Sequence, residues 1–375
     1  MGLQIQSIEY HNFRNYENFK LDNIGESTLF IGPNAVGKTN LIEGIQLLTA
    51  FHSFRNPKTE YLVKDPTKPC LVKADITDGD RKLEVELKIQ QEKKEYFLNG
   101  KKKKIQSLRG ILPSVLFCPD DLQFIKGSQS IKRNQIDILG QQFSANYYAI
   151  KKDYEKILRQ KNRYLKEVVS HSYLQSINEV LVVIGAQLYT LRAKLLKELI
   201  PYIQSYYLEI ADSKEEITLS YIPSWLKYQP EEVQYAYNPF ITKKEAQDEL
   251  YRVLEKEYER EHVRHISLFG PHADKIQFFI NKKNAEIFAS QGQQRSLVLA
   301  YKMAEVSLLK DKINQNPVLL LDDVMSELDS KRRDQLIRLF SRETQTFITS
   351  THVEYFNKEF LSQANVVTLG ERNEQ

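Results

Sequence analysis

The octapeptide GPNAVGKT occupies residues 32–39 of this 375-residue sequence. It fits the pattern G-x-x-x-x-G-K-[ST], in which a glycine-rich loop wraps the phosphates of a nucleotide. An apolar run at residues 28–31 precedes the loop, and apolar residues recur at helical spacing over residues 41–48. This setting predicts a strand, a phosphate loop and a helix, and therefore an α/β fold.

The chemistry of phosphate binding gives each part of this loop a role. Backbone N–H groups of the loop would surround the β-phosphate, and the helix N-terminus adds partial positive charge. Lys38 would reach the β- and γ-phosphates, and Thr39 would ligate Mg²⁺. A plain turn with an exposed lysine is the alternative, which the strand–turn–helix setting disfavours. The predicted ATP-binding residues are Gly32, Pro33, Asn34, Ala35, Val36, Gly37, Lys38 and Thr39.

A second apolar run ends in two carboxylates. Residues 318–321 read VLLL, as expected of a central parallel strand that is buried on both faces. Ligands of open α/β sheets lie at the carboxyl ends of the strands. We therefore expect Asp322 to hold Mg²⁺, directly or through water, and Asp323 to orient and deprotonate the attacking water. A helix cap or solvated turn is the alternative, and the phosphate loop in the same chain disfavours it.

The segment FASQGQQRSLVLAYKM begins at residue 288 and leads into a predicted helix. A hydroxyl residue and a glycine at a helix start, here Ser290 and Gly292, can form a second anion site. Taken alone, the segment is explained as well by a capped helix in which Ser290 is an ordinary N-cap.

The order of these motifs resembles that of the ABC-type ATPases: phosphate loop, SQGQQR, DDVMSELD and a later FITSTH. The resemblance implies a head-to-tail dimer in which the Ser-x-Gly segment of one copy contacts the γ-phosphate of ATP on the other. It also implies a catalytic switch role for His352, for which a hydrogen-bonded structural histidine is the alternative. The implied residues that act across the dimer are Ser290, Gln291, Gly292, Gln293 and, in the loop 326–329, Asp329.

Within that superfamily the chain resembles, from end to end, the RecF family of bacterial DNA replication and repair ATPases. The segments that carry the resemblance include HNFRNY at 11–16, SFR at 53–55, LFCPDDLQFIKGS at 116–128, KILRQKNRYLK at 156–166 and GPHADK at 270–275. The sequence departs from the family pattern in QSIKRNQID at 129–137, where a paired arginine is usual, and at Ala273, where an arginine is usual.

The family resemblance implies a function. It implies an ATP-dependent clamp that dimerises on single- and double-stranded DNA near gaps or junctions. Slow, DNA-dependent ATP hydrolysis would release the clamp, and RecO and RecR would cooperate with it to load the recombinase RecA.

The pattern of elements predicts an ABC-type ATPase lobe that is assembled from both chain ends, residues 1–110 and 269–375, with a mostly helical lobe inserted at 111–268. Asn99-Gly100 predicts a hairpin turn in the first part. Helices of ordinary length are expected over 131–169, 177–210 and 243–262, with polar turns such as SYIPSW at 220–225. No heptad pattern persists, which disfavours a long coiled-coil arm.

Composition limits the remaining possibilities. The net charge is only +4, so DNA binding must depend on local basic patches. Two cysteines without metal-ligand spacing and a start without a signal-peptide pattern indicate a cytoplasmic protein. Each basic run could equally be a solvated face. The candidate runs are Lys101–Lys104, Lys151 and Lys152 with Arg159, Lys161 and Arg163, and Lys331–Arg333.

Two other classes of ATPase compete with a DNA clamp. A transporter subunit is disfavoured because the separation between Thr39 and Ser290 is long, and nothing resembles an acidic nuclease module. Two roles stay open: Asp121 or Gln123 could match the Mg²⁺-sensing glutamine loop of the superfamily, and Arg55 could contact nucleotide.

Overall fold

The computed structural model describes residues 2–167, 169–211, 215–226, 242–340 and 344–370. The chain divides into two compact units. The split unit is formed by residues up to Leu122 and from Glu305 onward, and the inserted unit is formed by Gln123–Ala304. The divisions predicted at residues 110 and 268 differ from these. A strand at residues 114–117 pairs within the split unit, and a strand at residues 275–280 pairs within the inserted unit.

The split unit contains a five-stranded parallel sheet in the order β14-β3-β13-β12-β8. Its strands are β3 (Ser27–Ile31), β8 (Ser114–Phe117), β12 (Val318–Asp322), β13 (Thr346–Ser350) and β14 (Asn365–Thr368). Strands from the start of the chain, β3 and β8, therefore pair with strands from its end. This pairing confirms the prediction that one α/β lobe is assembled from both chain ends.

A six-stranded antiparallel sheet in the order β2-β1-β4-β5-β6-β7 completes this unit. Its strands are β1 (Gln4–Phe13), β2 (Tyr16–Leu21), β4 (Cys70–Thr77), β5 (Lys82–Gln90), β6 (Lys93–Leu98) and β7 (Lys101–Lys103). Asn99 and Gly100 both have positive φ between β6 and β7, which confirms the predicted hairpin. The shorter helices of the unit are α2 (Ile105–Leu108), α10 (Ser330–Phe340) and α11 (Lys358–Gln363).

Helix α1 (Lys38–Thr49) packs against both of these sheets. The apolar residues that predicted the helix, Leu41, Ile42, Ile45 and Leu48, are all buried in the core of the unit. This packing fixes the helix that follows the phosphate loop, and with it the position of the loop at the end of β3.

The inserted unit is mostly helical. Its helices are α3 (Gln129–Phe143), α4 (Ala145–Glu167), α5 (His171–Ala211), α6 (Lys243–Lys256), α7 (Tyr258–Arg264), α8 (Ala285–Phe288) and the first part of α9 (Gln291–Ile313). A three-stranded antiparallel sheet accompanies them, with β9 (Ile217–Ile222), β10 (Lys275–Ile280) and β11 (Lys283–Asn284). Among the described residues no helix is both long and apolar enough to cross a membrane.

Two expectations for this unit were wrong. Part of SYIPSW is not a polar turn, because residues 220–222 belong to the buried strand β9 and the turn begins only at Pro223. Helix α5 has 41 residues and continues through Pro201, well beyond an ordinary length. Buried residues recur along the whole helix, so its packed face continues beyond the proline.

Candidate nucleotide-binding site

The carboxyl edge of the parallel sheet gathers the predicted site residues. The phosphate loop follows β3, the two carboxylates end β12, and His352 follows β13. These three strands are adjacent in the sheet. Since parallel strands end at the same edge, the sheet topology brings the lysine of the loop and the carboxylates together.

The phosphate loop needs glycine at two positions. Gly37 has φ +112°, and a Cβ atom there would lie 2.5 Å from the side-chain nitrogen of Asn15. A Cβ atom on Gly32 would lie 2.6 Å from the carbonyl oxygen of Leu369. The backbone can therefore follow this path only without these side chains.

Lys38 folds back over the loop. Its ammonium group donates hydrogen bonds to the carbonyl oxygens of Gly32 at 2.7 Å and of Pro33 at 2.8 Å. Burial lowers the pKa of Lys38, and the carboxylates of Asp323 and Asp322 oppose this shift. Lys38 therefore interacts electrostatically with both the predicted base, Asp323, and the predicted Mg²⁺ ligand, Asp322.

Asp322 is buried beside two threonines, Thr349 and Thr39. The Thr349 hydroxyl donates to its Oδ1 atom at 2.8 Å. Burial raises the pKa of Asp322, whereas hydrogen bonds from Thr349 and Thr39 lower it. The contact with Thr39 brings together the two residues that were predicted to hold Mg²⁺, and hydroxyl and carboxylate oxygens suit that ion.

Asp323 adopts a left-handed conformation, with φ +50°, directly after β12. Burial raises the pKa of its carboxyl group, and the Lys38 ammonium lowers it. Its Oδ1 atom is buried and accepts no hydrogen bond from the described residues. A buried, unpaired carboxylate oxygen of this kind fits a position that a water or an ion completes.

Thr349 is a site residue that sequence reasoning missed. Its hydroxyl accepts a hydrogen bond from the Asp323 backbone N–H at 2.9 Å while it donates to Asp322. The pairing of β12 with β13 places Thr349 opposite Asp322. The available signal was a polar residue near the end of the apolar strand FITS, but the strand register was needed to assign its partner.

His352 and Asp329 lie in exposed loops beside these strands. The Nδ1 atom of His352 is 3.7 Å from the Glu354 carboxylate. A positive charge on His352 would lower the pKa of Asp323, although burial and Lys38 affect that pKa more strongly. The side chain of Asp329 accepts the backbone N–H of Arg332 at 3.0 Å and thereby caps α10. Neither contact tests the roles that the resemblance implied for these two residues.

The residues with open roles make local contacts in the split unit. The Arg55 guanidinium donates to Asn40 in α1 at 2.8 Å, and its charge is close enough to lower the pKa of Asp322. Asp121 is buried and accepts the Cys118 backbone N–H at 2.9 Å, so it closes the turn after β8. Gln123 is exposed. Arg55 is thus held near the carboxylates, and Asp121 stabilises the turn after β8.

The predicted signature segment begins α9 in the inserted unit. Ser290 is exposed, and its hydroxyl accepts the Gln293 backbone N–H at 3.2 Å while the Gln293 side chain accepts the Ser290 N–H at 2.8 Å. This reciprocal pair is a capping box. The capping alternative therefore describes the segment, and any action across a dimer remains a prediction.

Residues at the first family departure and next to the second make contacts within the inserted unit. Lys132 is buried and lies 2.9 Å from the Glu286 carboxylate, while Asp137 accepts two hydrogen bonds from the buried Arg192. The His272 ring bonds to the Tyr154 hydroxyl at 2.7 Å and to the Ser267 carbonyl oxygen at 3.0 Å. These segments stabilise the inserted unit.

The basic runs differ in exposure. Lys161 is buried and lies 2.6 Å from the Glu261 carboxylate, so its inclusion among the DNA candidates was wrong. Lys151 is half-buried between Asp137 and Glu155. The hairpin lysines Lys101–Lys104 are exposed.

Comparison with known proteins agrees with this geometry. Residues 4–373 match the family described as RecF/RecN/SMC N terminal domain. A DNA replication and repair protein RecF from Lactobacillus johnsonii is 33% identical over 371 residues, which cover 97% of this chain and 96% of the relative. The chain belongs to the RecF family. A RecF from Staphylococcus epidermidis is 32% identical and covers 98% of this chain, with 99% of its own length matched.

Solved structures extend the comparison to three dimensions. A structure described as the recombination mediator protein RecF-ATPrS in the RecFOR pathway has a TM-score of 0.86 and 28% identity, and the match covers 95% of this chain and 94% of that one. An Smc head bound to a winged-helix domain of ScpA, at 15% identity and a TM-score of 0.54, shares the fold. RecF-family membership and the ABC-type head fold disfavour the transporter and nuclease alternatives.

Proposed function

We propose that this protein is an ATP-dependent DNA clamp of the cytoplasm that acts in recombinational repair and replication restart. The observation that carries the proposal is the meeting of Lys38, Thr39, Asp322 and Asp323 at one sheet edge. A solved structure of a RecF with ATP, described as the recombination mediator of the RecFOR pathway, supports ATP as the nucleotide. RecO, RecR and RecA are proposed partners through family membership.

The chain's own residues would carry the hydrolysis. Lys38 exchanges the carbonyl oxygens that it now contacts for phosphate oxygens, while loop N–H groups bind the β-phosphate. Bound Mg²⁺, held by Thr39 and Asp322, would neutralise developing phosphate charge. Asp323 orients the attacking water and accepts its proton, and its raised pKa brings it closer to the range in which a carboxylate is an effective base.

The exposed signature segment supports the dimeric part of the proposal. Ser290 and Gly292 lie at a helix N-terminus that can bind an anion. Because each chain already has a phosphate loop for its own ATP, this second anion site is available to the ATP of another copy. We infer that Ser290, Gln291, Gly292 and Gln293 contact the γ-phosphate on a second copy, and that Asp329 and His352 complete that composite site. ATP binding would close two copies on gapped DNA, and slow hydrolysis would release them.

Sedimentation of the purified protein with and without ATP and a gapped duplex tests this proposal. Wild type should form a DNA-bound dimer with ATP. Ser290→Arg should stay monomeric, and Asp323→Asn should form a dimer that persists because water is no longer activated. Ser128→Arg is the matched control, since Ser128 is an exposed N-cap of α3 without a proposed ATP role. A monomeric wild type with ATP and DNA, or equal loss in both serine variants, would contradict the dimer.

A further inference from the structure

Helix α4 carries a stripe of exposed cations that the sequence analysis only partly identified. Five basic side chains lie at alternating spacings of four and three residues and all are exposed: Lys152, Lys156, Arg159, Arg163 and Lys166. At 3.6 residues per turn these positions fall within an arc of about 80°, and they extend for roughly 21 Å along the helix. We call this set the α4 stripe.

The opposite side of α4 is its packed face. Tyr147, Tyr154, Ile157 and Leu165 are buried there within the inserted unit. Lys161 lies on this packed face and is paired with Glu261, so it does not contribute to the stripe. The helix is therefore fixed by its buried face, and the stripe is held outward on a rigid element.

Few carboxylates neutralise the stripe. Glu155 pairs with Lys151 beside it, and Glu167 lies 3.7 Å from Arg163. Asp153 is exposed on the same helix at a different angle. Among the described residues, the ammonium groups of Lys156 and Lys166 have no carboxylate within ion-pair distance. The stripe thus keeps a net positive field along its whole length.

We propose that the α4 stripe is a binding surface for the phosphate backbone of duplex DNA. This inference rests on the proposed DNA-binding function and adds its location. A 21 Å length of duplex presents about 12 phosphate charges, enough to engage all five cations. Lysine and arginine side chains on a helix surface can contact these phosphates without reading sequence.

The surroundings of the stripe favour a duplex over other polyanions. Single-strand sites combine cations with aromatic platforms on which bases stack. Here Tyr148 and Tyr164 are half-buried, and Lys152 and Arg163 lie 6.0 Å and 5.1 Å from their ring centroids. A membrane-surface helix exposes an apolar face beside its cations, whereas the apolar face of α4 is buried.

The test uses the full-length triple variant Lys156→Gln, Arg159→Gln, Arg163→Gln and a matched control. The control is Lys243→Gln, Lys244→Gln, Arg252→Gln, which removes three exposed cations from α6 of the same unit. Binding to a blunt 30-base-pair duplex is measured in the presence of ATP and Mg²⁺ over a series of salt concentrations. The stripe variant should bind at least about tenfold more weakly, and its salt slope should fall by about 2.7 for each copy of the stripe that contacts the duplex. The control should keep the wild-type slope.

Other outcomes separate this inference from the proposed function. If wild type does not bind the duplex, the proposed DNA clamp fails. If wild type binds and the stripe variant matches it in affinity and slope, only the α4 stripe is refuted. Two further probes are a 30-nucleotide oligothymidine and vesicles of phosphatidylserine and phosphatidylcholine. Loss of binding to either of these, with duplex binding unchanged, would also overturn the assignment.

Discussion

Replacement of Thr349 by valine should impair ATP hydrolysis without unfolding the protein. The hydroxyl donates to Asp322 at 2.8 Å and accepts the Asp323 N–H at 2.9 Å, whereas valine has nearly the same shape and neither function. The Asp323 N–H keeps a second acceptor, the Thr349 carbonyl oxygen at 3.2 Å. The main loss is therefore the hydrogen bond to the buried Asp322 carboxylate.

The size of this loss follows from the charge of the acceptor. A hydrogen bond to a charged group contributes about 1.5–3 kcal/mol. If that energy positions Asp322 for Mg²⁺, its loss should weaken Mg²⁺-dependent ATP hydrolysis by about 10- to 100-fold. The same bond lowers the pKa of Asp322, so its removal should raise that pKa further. A larger fraction of Asp322 is then protonated at a given pH, and the acidic limb of the rate profile should move to higher pH.

The assay is steady-state ATP hydrolysis as a function of Mg²⁺ concentration and of pH. Thr346→Val is the matched control, because Thr346 is a buried threonine at the other end of β13 and donates to the Thr344 carbonyl oxygen. We expect the control to keep the wild-type Mg²⁺ dependence and pH profile. If Thr349→Val also keeps both, the hydroxyl does not position Asp322 and this reasoning is refuted.

Three further predictions concern stability and nucleotide binding. Lys161→Met should lower the free energy of unfolding by about 3–5 kcal/mol, because it leaves the buried Glu261 charge unpaired. The control Lys156→Met, at an exposed position, should change the free energy of unfolding by less than about 0.5 kcal/mol. Urea denaturation of both variants measures the difference. Gly37→Ala should weaken nucleotide binding, measured by calorimetry, since φ +112° and the nearby Asn15 both disfavour a Cβ atom; wild-type affinity would contradict this. Burial lowers the pKa of His272 to about 4, so its stabilising contribution is present above pH 6.5 and lost as the pH falls to 4. The difference in unfolding free energy between wild type and His272→Asn should therefore shrink by about 3 kcal/mol over that range, and a constant difference would show that His272 is not kept neutral by burial.

The sequence was sufficient to predict the local structure where neighbouring residues alone define a motif. The phosphate loop could be predicted because strand, loop and helix follow each other directly, and the Asn99-Gly100 turn because two residues determine it. The VLLL run indicated a buried central strand, and β12 has parallel neighbours on both sides. In each case short-range chemistry restricts the backbone to one conformation.

Prediction failed where the partner of a residue is distant in the sequence. Strand β9 looked like a polar turn, because Ser220 and Ser224 are polar and the pairing with β10 lies more than 50 residues away. Thr349 gained its role only from its register with Asp322. No periodicity within a segment carries that information, since register depends on how both strands pack against the rest of the unit.

The cations of α4 are intermediate between these two cases, because helical spacing predicts their exposure but not their partners. Lys161 is four residues after Ile157 and four before Leu165, so helical spacing alone puts it on the buried face. Arg159 lies two residues earlier and therefore about 200° away, on the exposed stripe. Spacing could thus have separated the two residues. Spacing could not have identified Glu261 as the partner of Lys161. A lysine is buried at low free-energy cost only where the fold provides such a carboxylate. The fold consequently makes Lys161 a structural residue and leaves Arg159 available to a phosphate.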